Sequence, residues 1–239
     1  PYAAWSTGGT MGTARQNLAG CGTQTAALGF GGYVNLGGTQ IATEEYDGSS
    51  WTGGGNLATT RSKLAGAGTQ TAGLAFGGQP VTGATEEYNG SAWTAGGTMG
   101  TARRNLAGAG TQTAGLAFAG GPTATGATEE YNGSAWTAGG TMGTARYLLA
   151  GAGTQTAGLA FGGKDPATAA TEEYNGTSWT AGGAMNTARF FSAGCGTQTA
   201  GLAFAGNTGG DNGSVITEEY NGSSWTTGGN MATPKAYLA

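Results

Sequence analysis

Histidine is absent from all 239 residues of the sequence. Its absence removes the commonest general base and metal ligand near neutral pH. Ser-His-Asp chemistry, His-containing zinc sites and His-ligated haem are therefore excluded. Charge is scarce as well: charged residues make up 9% of the chain, against about 25% in an average globular protein. With 9 Lys and Arg against 13 Asp and Glu, and a net charge of −4, there is no basic stripe for a nucleic-acid backbone, and no nucleic-acid partner is expected. No apolar run approaches the roughly 18 residues of a membrane helix. No signal peptide is legible, and no membrane insertion is expected. The first residue is Pro1, from which a processed, trimmed or partial chain is expected.

What the chain has instead is glycine, at 52 residues, and repetition. Glu-Glu-Tyr occurs five times, ending at Tyr46, Tyr88, Tyr131, Tyr174 and Tyr220, at spacings of 42, 43, 43 and 46 residues. Gly-Thr-Gln-Thr-Ala also occurs five times, from Gly22, Gly68, Gly110, Gly153 and Gly196. Every tryptophan (Trp5, Trp51, Trp93, Trp136, Trp179, Trp225) and every glutamate belongs to the repeat. A fixed period of this length is the mark of a repeat architecture.

The unit from Arg103 to Thr141 divides into four short apolar stretches closed by turn residues. Leu106 to Gly110 reads as a first strand, with Thr111-Gln112 as its turn. Ala114 to Ala119 reads as a second and Ala127 to Tyr131 as a third. Asn132-Gly133 follows, and that dipeptide is the strongest signal for a two-residue type I′ hairpin. Ala135 to Ala138, with Trp136, reads as the fourth. No stretch has an extended 3.6-residue apolar period. Four-stranded units of 40 to 50 residues are propeller blades or the coils of a β-solenoid. Side-chain size decides between them. The first strand offers Ala and Gly, the second Leu116 and Phe118, the third Tyr131 and the fourth Trp136. Blades converge at an axis and splay outward, so small residues belong inside and large ones outside. Each buried aromatic or Leu side chain adds roughly 1.5–3 kcal/mol. The expected fold is all-β: one five-bladed β-propeller over residues 1–239, with blades at about 15–55, 61–97, 103–140, 146–183 and 189–229, and end segments 1–14 and 230–239.

These residues resemble the kelch repeat. The arginine, the second strand ending in Gly-Gly, and the tyrosine followed by a tryptophan match at Arg61, Gly77-Gly78, Tyr88 and Trp93, with Met99 before Arg103 also fitting. The blades are shorter than usual for kelch, and five is fewer than its usual six or seven. The Gly/Ala/Thr-rich composition resembles kelch-like proteins of marine bacteriophages. That resemblance implies a particle or tail-associated module, on a virion or outside the cell.

Trp5 to Ala19 and Trp225 to Ala239 are two copies of one segment. They supply only outer and innermost strands, so a complete sixth blade is not expected. Three readings stay open: one copy closes the ring while the other is spare, the spare strand pairs with another subunit as a homo-oligomer, or the natural chain continues. Cys21 and Cys195 stand where the middle blades have Ala67, Ala109 and Ala152. A disulfide stapling the ring is one reading, and two buried thiols in alanine positions the other.

Five identical glutamate pairs lack the asymmetry that a glycosidase acid and base require. One member of each pair is expected to meet the repeat arginine (Arg15, Arg61, Arg103, Arg146, Arg189). Of the unrepeated acids, Asp47 replaces a turn asparagine and Asp165 and Asp211 lie in loops. The Gly-Thr-Gln-Thr-Ala stretches lack a phosphate-loop lysine. Asn89, Asn132, Asn175 and Asn221 open glycosylation sequons that turn chemistry already explains, and Asp211-Asn212-Gly213-Ser214 reads as a turn rather than a calcium loop. No enzyme activity, cofactor or metal is expected.

The repeats disagree in two zones. Between the second-strand Phe and the Glu pair, blade 1 has Tyr33-Val34-Asn35-Leu36, blade 2 Gln79-Pro80-Val81, blade 4 Lys164-Asp165-Pro166, and blade 5 an insert around Asn207 to Ile216. After the arginine come Gln16-Asn17, Ser62-Lys63, Arg104-Asn105, Tyr147-Leu148 and Phe190-Phe191. In an up-and-down blade both zones emerge on one face, which is where repeat proteins commonly bind. The candidate binding residues are Tyr33, Asn35, Lys63, Gln79, Arg104, Tyr147, Lys164, Asp165, Phe190, Phe191, Asn207 and Asp211. Aromatics beside amides suit a host-surface glycan or protein, although Phe190 and Phe191 could instead plug the channel mouth. Other particle proteins are the partners of the competing structural-subunit reading. An engineered scaffold is a third, against which the unequal loops argue.

Overall fold

The structure, a computed structural model, describes residues 4–164, 166–210 and 213–237. Five four-stranded antiparallel sheets follow one another along the chain as the blades of a β-propeller. In the third blade the strands are Ala107–Gly110, Gly115–Phe118, Thr128–Tyr131 and Trp136–Ala138, within a residue or so of the sequence expectation. Its register pairs Leu116 with Glu130 and Tyr131 with Trp136. No helix occurs among the described residues. The loop between the second and third strands of blade 1 carries a small hairpin of its own, Tyr33–Val34 against Gly38–Thr39.

The Asn-Gly turn departs from the expected form. Gly133 has φ of 89°, but Asn132 is not left-handed, and the loop spans four residues between Tyr131 and Trp136. Asn132 Oδ1 accepts from the N–H groups of Ser134 and Ala135 at 3.0 and 2.9 Å. This Asx arrangement stabilises the longer loop without placing asparagine at positive φ.

The size gradient is realised radially. The innermost strands, Ala19–Thr23, Ala65–Thr69, Ala107–Gly110, Ala150–Thr154 and Ala193–Thr197, pack on one another in sequence order. Glycine permits that approach: a Cβ at Gly151 would lie 2.5 Å from Phe118 Cζ and 3.0 Å from the Gly108 carbonyl oxygen. Gly151→Ala should therefore cost about 1–3 kcal/mol by overpacking, read as a lower urea midpoint. Farther out, Phe118 meets Trp179 of the next blade with ring centroids 5.0 Å apart, and Trp179 Nε1 donates to Thr128 Oγ1 at 2.9 Å. Tyr131, Tyr174 and Tyr220 repeat one contact, each hydroxyl donating to the second glutamate of the preceding blade at 2.5–2.6 Å. Tyr88 does the same to Glu45 at 2.5 Å.

Burial first, and then the neighbouring carboxylate, raise the pKa of these four phenols, that of Tyr220 to about 12. Because the folded values lie above the unfolded value of about 10, this contribution to stability is intact below pH ~10. It is lost as pH rises through the folded values. Denaturant midpoints should fall as pH rises from about 10 to about 12, in step with tyrosinate absorbance. A flat midpoint would contradict the shared phenol–carboxylate contact.

The two ends are used together rather than one closing the ring and the other left over. Asn17, Lys63, Asn105, Leu148, Phe191 and Tyr237 share φ of 53–59° at equivalent places around the axis. Lys63, Asn105, Leu148 and Phe191 each donate a backbone N–H to the carbonyl of the preceding member at 2.8–3.0 Å, and Asn17 donates to Tyr237 at 3.0 Å. This ring has six stations for five blades. At the sixth, Lys235 O accepts from Gly206 N as the arginine carbonyls do elsewhere, and Trp5 Nε1 donates to Thr217 Oγ1 at 3.0 Å as Trp93, Trp136, Trp179 and Trp225 do to the preceding blade. Blades 1 and 5 are thus separated by a station that both termini share. Cys21 and Cys195 are accordingly free thiols, so no disulfide staples the ring.

Candidate functional site: the variable face

The repeat arginine builds this face. Arg103 is 1% exposed, and its Nη1 donates to the carbonyls of Ala119 and Ala127 at 2.8 and 2.7 Å, the two ends of the loop between the second and third strands. Its Nη2 reaches Glu129 Oε1 at 2.9 Å. The same fork joins Gly31 to Ala42, Gly77 to Ala84, Gly162 to Ala170 and Ala205 to Ile216, through Arg15, Arg61, Arg146 and Arg189. Each of these arginines also pairs with the first glutamate of its blade: Glu44, Glu86, Glu172 or Glu218. Burial lowers the guanidinium pKa and the glutamate opposes that shift. A loop whose ends one guanidinium holds together can change length and sequence without disturbing the frame.

The two variable zones do meet on one face. The first residue after each arginine forms a backbone bridge to its own blade's loop: Gln16 with Tyr33, Ser62 with Gln79, Arg104 with Gly121, Tyr147 with Lys164, and Phe190 with Asn207. The second residue is the left-handed ring member. The ring surrounds an axial pocket of 130 Å³ whose mouth is lined by Asn17, Lys63, Asn105, Leu148 and Phe191.

The structure sorts the candidate residues. Tyr33, Asn35 and Lys164 are exposed, while Gln79, Arg104, Tyr147 and Phe190 are half-buried around the rim. Lys164 Nζ lies 4.9 Å from the Phe190 ring centroid, a cation–π arrangement. Arg104 Nη1 donates to the Gln79 side-chain oxygen across the blade boundary. Lys63 and Phe191 belong to the axial ring, and Phe191 packs on Tyr237 at 4.2 Å, so Phe191 serves the mouth rather than the open rim. Asn207 is buried, unlike the other described candidates. At 5% exposed, it spends its Oδ1 on the Gly209 N–H at 2.7 Å and stiffens its own loop. Asp165 and Asp211 lie outside the described residues.

Of the 9 Lys and Arg, the five repeat arginines are buried in ion pairs, and the remaining four (Lys63, Arg104, Lys164, Lys235) all stand in the two variable zones or at the sixth station. By sequence the same zones also carry two acids, Asp165 and Asp211, so four cations stand there against two acids in a chain of net charge −4. Among the described residues no cluster of three Cys, Asp or Glu side chains could hold a metal ion. The ring residues Asn17, Asn105 and Leu148 were missed as candidates; two of the three are Asn, the non-glycine residue most at ease at positive φ. Comparison with protein-family models and with curated proteins gave no match.

Proposed function

We propose that this chain is a non-enzymatic binding module whose variable face recognises a host-surface glycan or protein bearing acidic groups. The observation that carries the reading is the gathering of the two variable zones on one face, the loops between second and third strands clamped at both ends by identical arginines and the residues after each arginine bridged to them. Frame and recognition are thereby separated: five copies of one scaffold present five different edges. Lys63, Arg104 and Lys164 supply positive charge, and Tyr33, Tyr147 and Phe190 supply flat apolar surfaces for sugar rings or side chains. The kelch-like motifs and the phage-like composition support placing the module on a virion or outside the cell. The glutamate pairs support a non-catalytic reading, because nine of the ten carboxylates are already engaged by arginine or tyrosine within the scaffold.

The test is a screen of neutral, uronic-acid and sulfated glycans and of host-envelope preparations at low and high ionic strength. Expected is binding to acidic members that weakens with salt, because exposed charges are screened beyond about 10 Å at 0.1 M salt. Binding to neutral ligands alone, or none from folded protein, would remove this reading.

A further inference from the structure

Around the propeller, four blade boundaries repeat one set of contacts, and the fifth boundary is open. Between blade 5 and blade 1 lies a cleft of 1040 Å³ bordered by Trp5, Gln24, Tyr46, Trp51, Leu202 and Glu219. Each of these groups has a mate at the other boundaries. The second glutamate of blades 1 to 4 accepts the next blade's tyrosine, whereas Glu219 makes no side-chain hydrogen bond among the described residues. Tyr88, Tyr131, Tyr174 and Tyr220 donate to such a glutamate, whereas Tyr46 only accepts a 3.4 Å bond from Gly9 N. Gln70, Gln112, Gln155 and Gln198 each reach two carbonyls of the preceding blade, while Gln24 reaches none among the described residues. Leu28, Leu74, Leu116 and Leu159 are at most 1% exposed beneath the next blade, and Leu202 is only half-buried.

The missing mates spell out their owner. Glu219 calls for a tyrosine and Tyr46 for a carboxylate one residue before it. Gln24 calls for the carbonyls of that tyrosine and of a second-strand glycine. Trp51 calls for a threonine hydroxyl and a phenylalanine ring, as Trp93 finds in Thr43 and Phe30. Leu202 calls for a glycine to lie over it, as Leu159 Cδ2 lies 2.7 Å from a Cβ built on Gly201. Together these are Gly-Leu-Ala-Phe followed by Thr-Glu-Glu-Tyr, the second and third strands of this repeat. The edge on which such a hairpin would dock is in place: Trp5, Ser6 and Thr7 occupy the outer-strand station beside blade 5 and pair with no strand among the described residues.

We propose that the cleft is a docking site for a β-hairpin of the repeat's own second- and third-strand chemistry, presented by a separate partner polypeptide built from the same repeat. Strand addition supplies main-chain hydrogen bonds, and the Glu219 and Tyr46 contacts fix the register. This interaction is independent of the variable face.

The probe is a synthetic 18-residue peptide with the sequence of Ala157 to Tyr174, titrated calorimetrically into the full chain, with sedimentation measured in parallel. Expected is saturable 1:1 binding, absent for a scrambled peptide. Binding should weaken at least about tenfold in the Glu219→Gln/Tyr46→Phe double variant, since each change removes a hydrogen bond involving a charged group. Glu219 has no side-chain hydrogen bond among the described residues and Tyr46 only the long one from Gly9 N at 3.4 Å, so that variant should melt within a few degrees of the parent. No binding at millimolar peptide, equal binding of the scrambled peptide, or affinity unchanged in the double variant would each overturn the proposal. So would self-association of the chain that excludes the peptide, because the occupant would then be a second copy.

Discussion

Arg103→Met should lose about 3–5 kcal/mol of stability, the cost of breaking a buried ion pair by removing one partner. The change strands Glu129, which is 6% exposed, and leaves the carbonyls of Ala119 and Ala127 without their donor. In a chain of this size that corresponds to a melting temperature lower by about 6–20 °C. Arg103→Lys should rescue little. An ammonium is a point charge and cannot reproduce the fork that serves two carbonyls and a carboxylate at once. A melting temperature within about 2 °C of the parent for Arg103→Met would contradict the role given to the arginine.

Phe118→Ala should cost about 3–5 kcal/mol, the range for truncating a fully buried phenylalanine. Phe118 is 0% exposed and packs against Trp179 of the next blade. Phe204 is its counterpart in blade 5. It faces Trp5 at 5.1 Å but is only half-buried, because the sixth station holds no second or third strand among the described residues. Phe204→Ala should therefore cost clearly less than Phe118→Ala when both are unfolded in urea. Equal losses would mean that the fifth boundary is packed as tightly as the rest.

Much of this architecture was legible because the repeat was read five times over. Strand positions followed from apolar stretches and turn residues, and the radial order from the gradient running from Gly108 through Phe118 to Trp136. The partnership of one glutamate per pair with the arginine was also legible, since no other cation recurs in step with it. What escaped was contact between units. Gln112 reads as a turn residue, yet its amide reaches back to the carbonyls of Gly73 and Tyr88. Nothing within one repeat shows that Tyr131 bonds a carboxylate 44 positions earlier. The sixth station escaped for the same reason. The duplicated ends were visible, but a ring of left-handed residues at Asn17, Lys63 and Leu148 has no sequence code beyond its two asparagines. At the variable face the zones and their shared side could be read from strand parity. The burial of Asn207 and the withdrawal of Phe191 into the mouth depended on local packing.

The separation of a fixed frame from a recognition face is tested most directly by measuring melting temperature and ligand binding on one variant, Arg104→Ala/Tyr147→Ala/Lys164→Ala, against an acidic glycan or envelope ligand bound by the parent. These side chains lie on the rim and outside the buried ion pairs. The expected result is a melting temperature within about 4 °C of the parent, as for rim substitutions near 1 kcal/mol in total, with binding lost. Undiminished binding by the folded triple variant would contradict the assignment of recognition to this face.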